Sequence, residues 1–144
     1  MTDKANYFST SLSFSLRRAS QVVDAVLTEI LGALGITPSQ VSVLQAVGAF
    51  PECSQQKLVD VTGIDRSTIA DVVKRLVKCG LIARRRTKQD ARVYALKLTA
   101  EGERVMREGS KAVEKTDMAI AGILTARASF GAHLQQIIAG LKET

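Results

Sequence analysis

The chain has 144 residues, 46% of them hydrophobic, and carries a net charge of +6; that length suits one domain with a core of its own. No apolar run approaches the ~18 residues of a membrane span. The opening Met1-Thr2-Asp3-Lys4 lacks the basic-then-apolar order of a secretory signal, so a cytoplasmic protein without a membrane partner is expected. Aromatic residues make up only 4% and Trp is absent, which argues against stacking platforms for single-stranded nucleic acid.

Phe8, Leu12, Leu16, Ala19, Val23, Val26, Ile30 and Leu34 recur at steps of three and four. This spacing predicts one long amphipathic helix over about 9–34, ended by Gly35. Thr37-Pro38-Ser39-Gln40 then combines a capping threonine, a proline suited to the first helical position and a glutamine that completes a capping box. A second helix follows to about Val47. Ser54 caps a short third helix, with Leu58 and Val61 expected to face inward, and Gly63 supplies a turn. Asp65 caps a fourth helix over about 66–79, with an apolar face of Ile69, Val72, Val73, Leu76 and Val77, and Gly80 ends it. A short helix, a glycine turn and a longer capped helix make a helix-turn-helix.

After Gly80 the periodicity changes. Residues 81–84 read as a strand and 93–98 as its alternating partner, joined by a basic tip around 86–90. The result is a β-hairpin wing. Thr99 caps a last helical region, with Glu101 and Glu103 suited to its first turn and a break expected near 122–125. Leu134, Ile137, Ile138 and Leu141 form the final apolar stripe, while Gly102, Gly109, Gly122, Gly131 and Gly140 weaken these helices. The expected fold class is mainly α with a small β-hairpin: a winged helix-turn-helix over 36–99, flanked by dimerisation helices over 8–34 and 100–144, all in a single domain.

The charge is not spread evenly. Residues 53–99 hold eleven Lys and Arg against four acids, a net +7, whereas the rest of the chain holds nine bases and ten acids. Such concentration is the footprint of a polyanion-binding surface. The fourth helix, about 21 Å long, fits the major groove of B-DNA. Its outer face presents Arg66, Ser67, Thr68, Asp71, Lys74, Arg75 and Lys78. Arg66 has the chemistry for a bidentate contact to guanine, and Ser67 and Thr68 can donate to bases or phosphates. Lys74, Arg75 and Lys78 suit phosphates. In the wing, Arg84, Arg85, Arg86, Lys88 and Arg92 less Asp90 place +4 in nine residues, and a narrow minor groove attracts arginine. Asp90 among these bases either orients Arg92 or a base of the fourth helix through a charge-assisted hydrogen bond, or satisfies its own turn.

The run Ser54-Gln55-Gln56-Lys57-Leu58 is followed by Thr62-Gly63-Ile64-Asp65-Arg66-Ser67-Thr68-Ile69 and by residues 73–82. With Asp90-Ala91-Arg92 and Leu98-Thr99-Ala100-Glu101-Gly102 in addition, the chain resembles the MarR family of bacterial regulators over about 36–102. The resemblance implies a homodimer with interlocked terminal helices, bound to a pseudo-palindromic duplex operator. It also implies a repressor of neighbouring genes, released by a small ligand and needing no cofactor. The family's Asp-x-Arg wing motif falls on Asp90 and Arg92, with Ala91 where the family often has a second arginine. The DNA-contact set expected on these grounds is Gln55, Arg66, Ser67, Thr68, Lys74, Arg75, Arg84, Arg86, Lys88, Asp90 and Arg92.

Family ligand sites lie where the first helix and the dimer helices meet the winged unit, and they often admit aromatic carboxylates. Arg17 and Arg18, on an otherwise apolar helix, are the candidates for holding such an acid; an intersubunit ion pair is the alternative. Two other functions stay open: a winged-helix module for protein contacts, and a thiol-based redox regulator using Cys53 or Cys79. Zinc-ligand spacing is absent, there is one histidine, His133, and no nucleophile–base pair can be nominated, so an enzyme is not expected.

Overall fold

The computed structural model describes residues 4–90 and 93–142. Along them run α1 (Lys4–Thr10), α2 (Leu12–Leu31), a 3-10 turn (Gly32–Leu34), α3 (Pro38–Ala49), α4 (Gln55–Thr62) and α5 (Arg66–Lys78). The hairpin β1 (Ile82–Arg86) and β2 (Tyr94–Leu98) follows, then α6 (Ala100–Ile123) and α7 (Arg127–Lys142). None of these helices is by itself long and apolar enough to cross a membrane.

The single helix expected over 9–34 is two helices. Ser11 leaves helical geometry (φ −71°, ψ 117°), and its hydroxyl accepts the Phe14 N–H at 3.3 Å, capping α2. Serine competes for backbone donors in this way. The apolar spacing runs through the break unchanged and so does not reveal it. Only the end of α2 joins the core, where Leu31 is fully buried and Leu27, Ile30 and Leu34 pack against it. The rest of the expected stripe stays out of that core, with Leu12 80% exposed and Val23 half-buried.

The winged unit forms where its local signals place it. Thr37 N–H donates to Gln40 Oε1 at 2.9 Å, and Gln40 N–H donates to Thr37 Oγ1 at 3.3 Å, which closes the capping box on α3. Ser54 Oγ accepts the Lys57 N–H at 3.1 Å at the start of α4. Gly63, at φ 72°, adopts the left-handed turn that lets α5 leave α4 at once. Val41, Val43, Leu44 and Val47 of α3 meet Leu58, Ile69, Val73 and Leu76, with Ile82 and Leu96 of the hairpin closing the core. Val61 is 44% exposed rather than inward. Helical spacing does put it on the Leu58 side, but it stops at the edge of the core, lining an open cleft with Ser42, Gln45 and Ala49 of α3, while Val59 and Thr62 are half-buried. Val77 is only half-buried.

The two strands pair antiparallel, Ile82 with Leu98 through Arg86 with Tyr94, one residue later at their start than expected. A third short edge joins them: Leu96 N–H donates to Cys53 O and Glu52 N–H to Leu96 O, both at 2.9 Å. Glu52 takes a left-handed φ of 64° to make this turn.

At its other end the hairpin feeds α6. Thr99 Oγ1 accepts the Gly102 N–H at 3.0 Å and donates to Gly80 O at 2.6 Å, while Thr99 N–H donates to Leu81 O at 3.1 Å. A Cβ on Gly102 would lie 1.9 Å from Leu81 O. This glycine is thus a close-approach site rather than a weak point: it lets α6 seat against the C-terminal cap of α5. Leu124, at ψ 130°, breaks the helix within the expected window. Beyond it α7 buries none of its residues.

Candidate nucleic-acid interface

The N-terminus of α5 is organised by Asp65. Its Oδ1 accepts the Thr68 N–H at 2.9 Å and the Ser67 hydroxyl at 2.8 Å, and its Oδ2 accepts the Thr68 hydroxyl at 2.6 Å. The Thr68 hydroxyl, the Thr68 N–H and the Ser67 hydroxyl together hold this carboxyl down at about 2. A carboxylate only accepts, so both hydroxyl protons are committed to it. The expectation that Ser67 and Thr68 donate to DNA therefore changes: outward, they offer lone pairs.

Arg66 is also held. Its Nη2 donates to Gln56 Oε1, and Gln56 Nε2 donates to Asp60 Oδ1 at 2.9 Å. The Asp60 bond fixes which end of the amide faces the guanidinium. Lys74, Arg75 and Lys78 lie along the exposed side of α5 opposite Ile69, Val72, Val73 and Leu76, with Asp71 among them.

The wing sorts its arginines by strand alternation. Arg84 and Arg86 share a face with Tyr94, their guanidinium carbons 5.0 and 5.9 Å from its ring centre. Arg85 points to the other face, where its Nη2 donates to Glu52 Oε2 at 2.8 Å. Both partners of that pair are largely exposed, so it adds about 0–1 kcal/mol of stability, but it takes Arg85 away from the basic face. Tyr94 and Val93 face Ser54, Gln55, Gln56 and Arg66 across an open cleft of about 380 Å³. Gln55 and Arg66, predicted from sequence to touch DNA, therefore share one groove between wing and helix-turn-helix.

At the wing tip Lys88 is exposed. The turn is closed by Asp90 N–H donating to Thr87 Oγ1 at 3.1 Å and Thr87 Oγ1 donating to Asp90 O at 2.8 Å. Arg92 and Ala91 lie outside the described residues, so the expected link from Asp90 to Arg92 is a proposal rather than an observation. Gln56, Tyr94 and Glu52 were not singled out from sequence. The i to i+4 relation of Gln56 to Asp60, and the register that sets Tyr94 opposite Arg86, are the signals that mark the first two. Nothing local marks Glu52.

A second cleft, of about 990 Å³, opens among α1, α2, α6 and α7. Phe8, Phe14, Phe130, Leu134 and Ile138 line it together with Arg18. Arg17 is not among its lining residues, and neither is His133. The ring centres of Phe8 and Phe14 stand 5.0 Å apart, edge to face. Of the cysteines, Cys53 is buried, and burial pushes its thiol up. Cys79 is exposed at the end of α5.

Residues 34–93 match the family model described as MarR family. A proposed transcriptional regulatory protein for the hcr operon of Thauera aromatica is 35% identical over 83 residues, which span 58% of this chain and half of that relative. Among solved structures, the PcaV transcriptional regulator of Streptomyces coelicolor superposes with a TM-score of 0.75 at 30% identity, over 94% of this chain and 100% of its own. BpsR of Bordetella bronchiseptica, whose DNA binding is regulated by 6-hydroxynicotinic acid, superposes at 0.79 and 26% identity, over 89% of this chain and 98% of its own. These relatives are transcription regulators rather than enzymes.

Proposed function

Since this chain belongs to the MarR family of transcription regulators, we propose that it is a homodimeric repressor that holds a pseudo-palindromic DNA duplex and releases it when a small aromatic acid binds. One observation carries the DNA half of this reading: Arg66 at the start of α5 and Tyr94 of the wing line one open cleft, and Arg84 and Arg86 stand against that same Tyr94 ring. In the docking we propose, Arg66, Ser67 and Thr68 meet base edges in the major groove and Gln55, Lys74 and Arg75 meet phosphates. Arg84, Arg86, Lys88 and the Asp90–Arg92 motif engage the backbone and minor groove beside them.

The winged unit over 36–99 is the DNA-holding part, and the segments 8–34 and 100–144 make the dimer. A helix with little burial is marginal in water, and α7 has no fully buried residue. Met118 at 75%, Ile123 at 81% and Leu141 at 72% exposure lie on the same terminal segments. A second copy, related by a two-fold axis, covers such faces at least cost in new surface, and it sets the half-sites about one helical turn apart.

The effector reading rests on the larger cleft. Its walls are aromatic and aliphatic, and Arg18 is the cationic lining group, which suits a flat ring carrying a carboxylate. The regulation of BpsR by 6-hydroxynicotinic acid, an aromatic acid, supports the same ligand class here. Of the two arginines considered, Arg18 is the one we assign to the acid, leaving Arg17 to solvent or an ion pair.

The test is a gel-shift against the duplex upstream of the protein's own gene, followed by a thermal-shift screen of aromatic acids and release assays with those that bind. Retention with a Kd on the order of 10 nM, and release by an acid that Arg18→Gln no longer senses, are expected. No retention of any upstream or neighbouring duplex contradicts the DNA reading. Equal response of wild type and Arg18→Gln contradicts the assignment of the pocket.

A further inference from the structure

We infer that Asp65 is a positioning residue that sets what the reading helix can recognise: by taking the hydroxyl protons of Ser67 and Thr68 it makes both side chains hydrogen-bond acceptors toward DNA. The inference rests on the DNA reading above. Ser67 Oγ donates to Asp65 Oδ1 at 2.8 Å and Thr68 Oγ1 donates to Oδ2 at 2.6 Å. Each hydroxyl has one proton and two lone pairs. With the proton spent on a neighbouring carboxylate, a charge-assisted bond stronger than a neutral one, only lone pairs face outward.

In the major groove the groups that donate are the exocyclic amines, N4 of cytosine and N6 of adenine, whereas guanine O6 and N7 and thymine O4 only accept. A free serine or threonine can serve either kind. This pair, held by Asp65, matches the amines. Arg66, which only donates, lies beside them, so the tip of α5 carries a donor followed by two acceptors. That ordered pattern is a specificity element beyond the fact of DNA binding.

Asparagine at position 65 makes the idea testable, because it caps helices about as well as aspartate. The Thr68 N–H and the Ser67 hydroxyl both point at Oδ1, so the amide oxygen stays there. The amide NH2 then replaces Oδ2 and faces Thr68 Oγ1, which must accept from it and turn its own proton outward. Asp65→Asn therefore reverses Thr68 and leaves Ser67 as it was.

The experiment uses the full chain and the duplex that wild type selects from a random library. Exocyclic amines are removed one at a time, with purine in place of adenine or 2-pyrimidinone in place of cytosine. Binding is measured for wild type, Asp65→Asn and Thr68→Val. At one position per half-site, loss of the amine should weaken wild type by about tenfold while barely affecting Thr68→Val or Asp65→Asn. Loss of charge at position 65 raises affinity for every duplex alike, so the comparison is between amine-containing and amine-free duplexes within each variant. The inference fails if Asp65→Asn stays as sensitive as wild type, or if no amine deletion separates wild type from Thr68→Val. Failure of wild type to enrich any duplex overturns the DNA reading itself, and this inference with it.

Discussion

At the scale of single residues, the acids in and beside the basic segment do more than lower its charge. Asp60 orients Gln56, Asp65 caps α5 and Glu52 holds Arg85 on the wing face opposite Arg84 and Arg86. The Asp65 carboxyl sits at about 2 in the fold, against an ordinary 3.8. A carboxyl whose pKa is lowered by folding adds stability above its unfolded value, and that stability is lost as pH falls through the folded one. Wild type should therefore lose stability between about pH 4 and pH 2 more steeply than Asp65→Asn. Urea midpoints across that range check this, and parallel curves would deny it. The wing arginines divide in the same way. Arg84→Ala should weaken duplex binding by about tenfold and lower the salt slope by about 1. Arg85→Ala should do neither, while abolishing the link to Glu52. Titrations of both variants at two salt concentrations decide the matter, with equal effects as the contrary result.

At the scale of elements, α6 seats on the end of α5 through the closest approach any glycine makes in the described residues. Gly102→Ala would drive a methyl group into the Leu81 carbonyl. Backbone cannot step aside as a side chain can, so a loss of about 3 kcal/mol in unfolding free energy is expected. Chemical denaturation reads it directly, and a loss within about 0.5 kcal/mol, the range of ordinary surface substitutions, would show that the joint yields.

The elements also show which signals a sequence carries. Thr37-Pro38-Ser39-Gln40, Ser54, Asp65 and Thr99 marked helix starts correctly, because capping is a bond between neighbours and needs no distant partner. Ser11 broke the first helix unseen, since the apolar rhythm passes through it. Spacing alone points Val61 inward, yet it stays 44% exposed, because the inner side of so short a helix is decided by what lies across from it. In the candidate site, the charged residues of α5 and the wing were legible from their concentration. Their hydrogen-bond polarity was not, because it depends on which neighbour takes each proton. The pairing of Glu52 with Arg85 spans 33 residues and a left-handed turn, and no local pattern announces it.

At the scale of the whole molecule, the apolar surface is divided. The winged unit closes one core with the end of α2 and part of α6, whereas α1, most of α2 and α7 leave large apolar side chains exposed. If those faces close on a second copy, unfolding should depend on protein concentration, and sedimentation should give twice the chain mass. Ile138→Glu should shift the equilibrium to monomer and cost at least about tenfold in duplex affinity, since one half-site then binds without the other. A monomeric wild type at micromolar concentration would oppose this. α6 touches both regions: it lines the larger cleft at Ile120, and its cap Thr99 bonds the end of α5 at Gly80.

The central claim, that the groove between α5 and the wing holds a DNA backbone, is tested most directly by salt. The measurement is the affinity of wild type and of the Arg84→Ala, Arg86→Ala double variant for the upstream duplex from 50 to about 200 mM salt. Wild-type log affinity should fall steeply and linearly with log salt, and the double variant should be weaker with a slope shallower by about 2. A double variant with the wild-type slope, or a wild type indifferent to salt, would contradict the assignment.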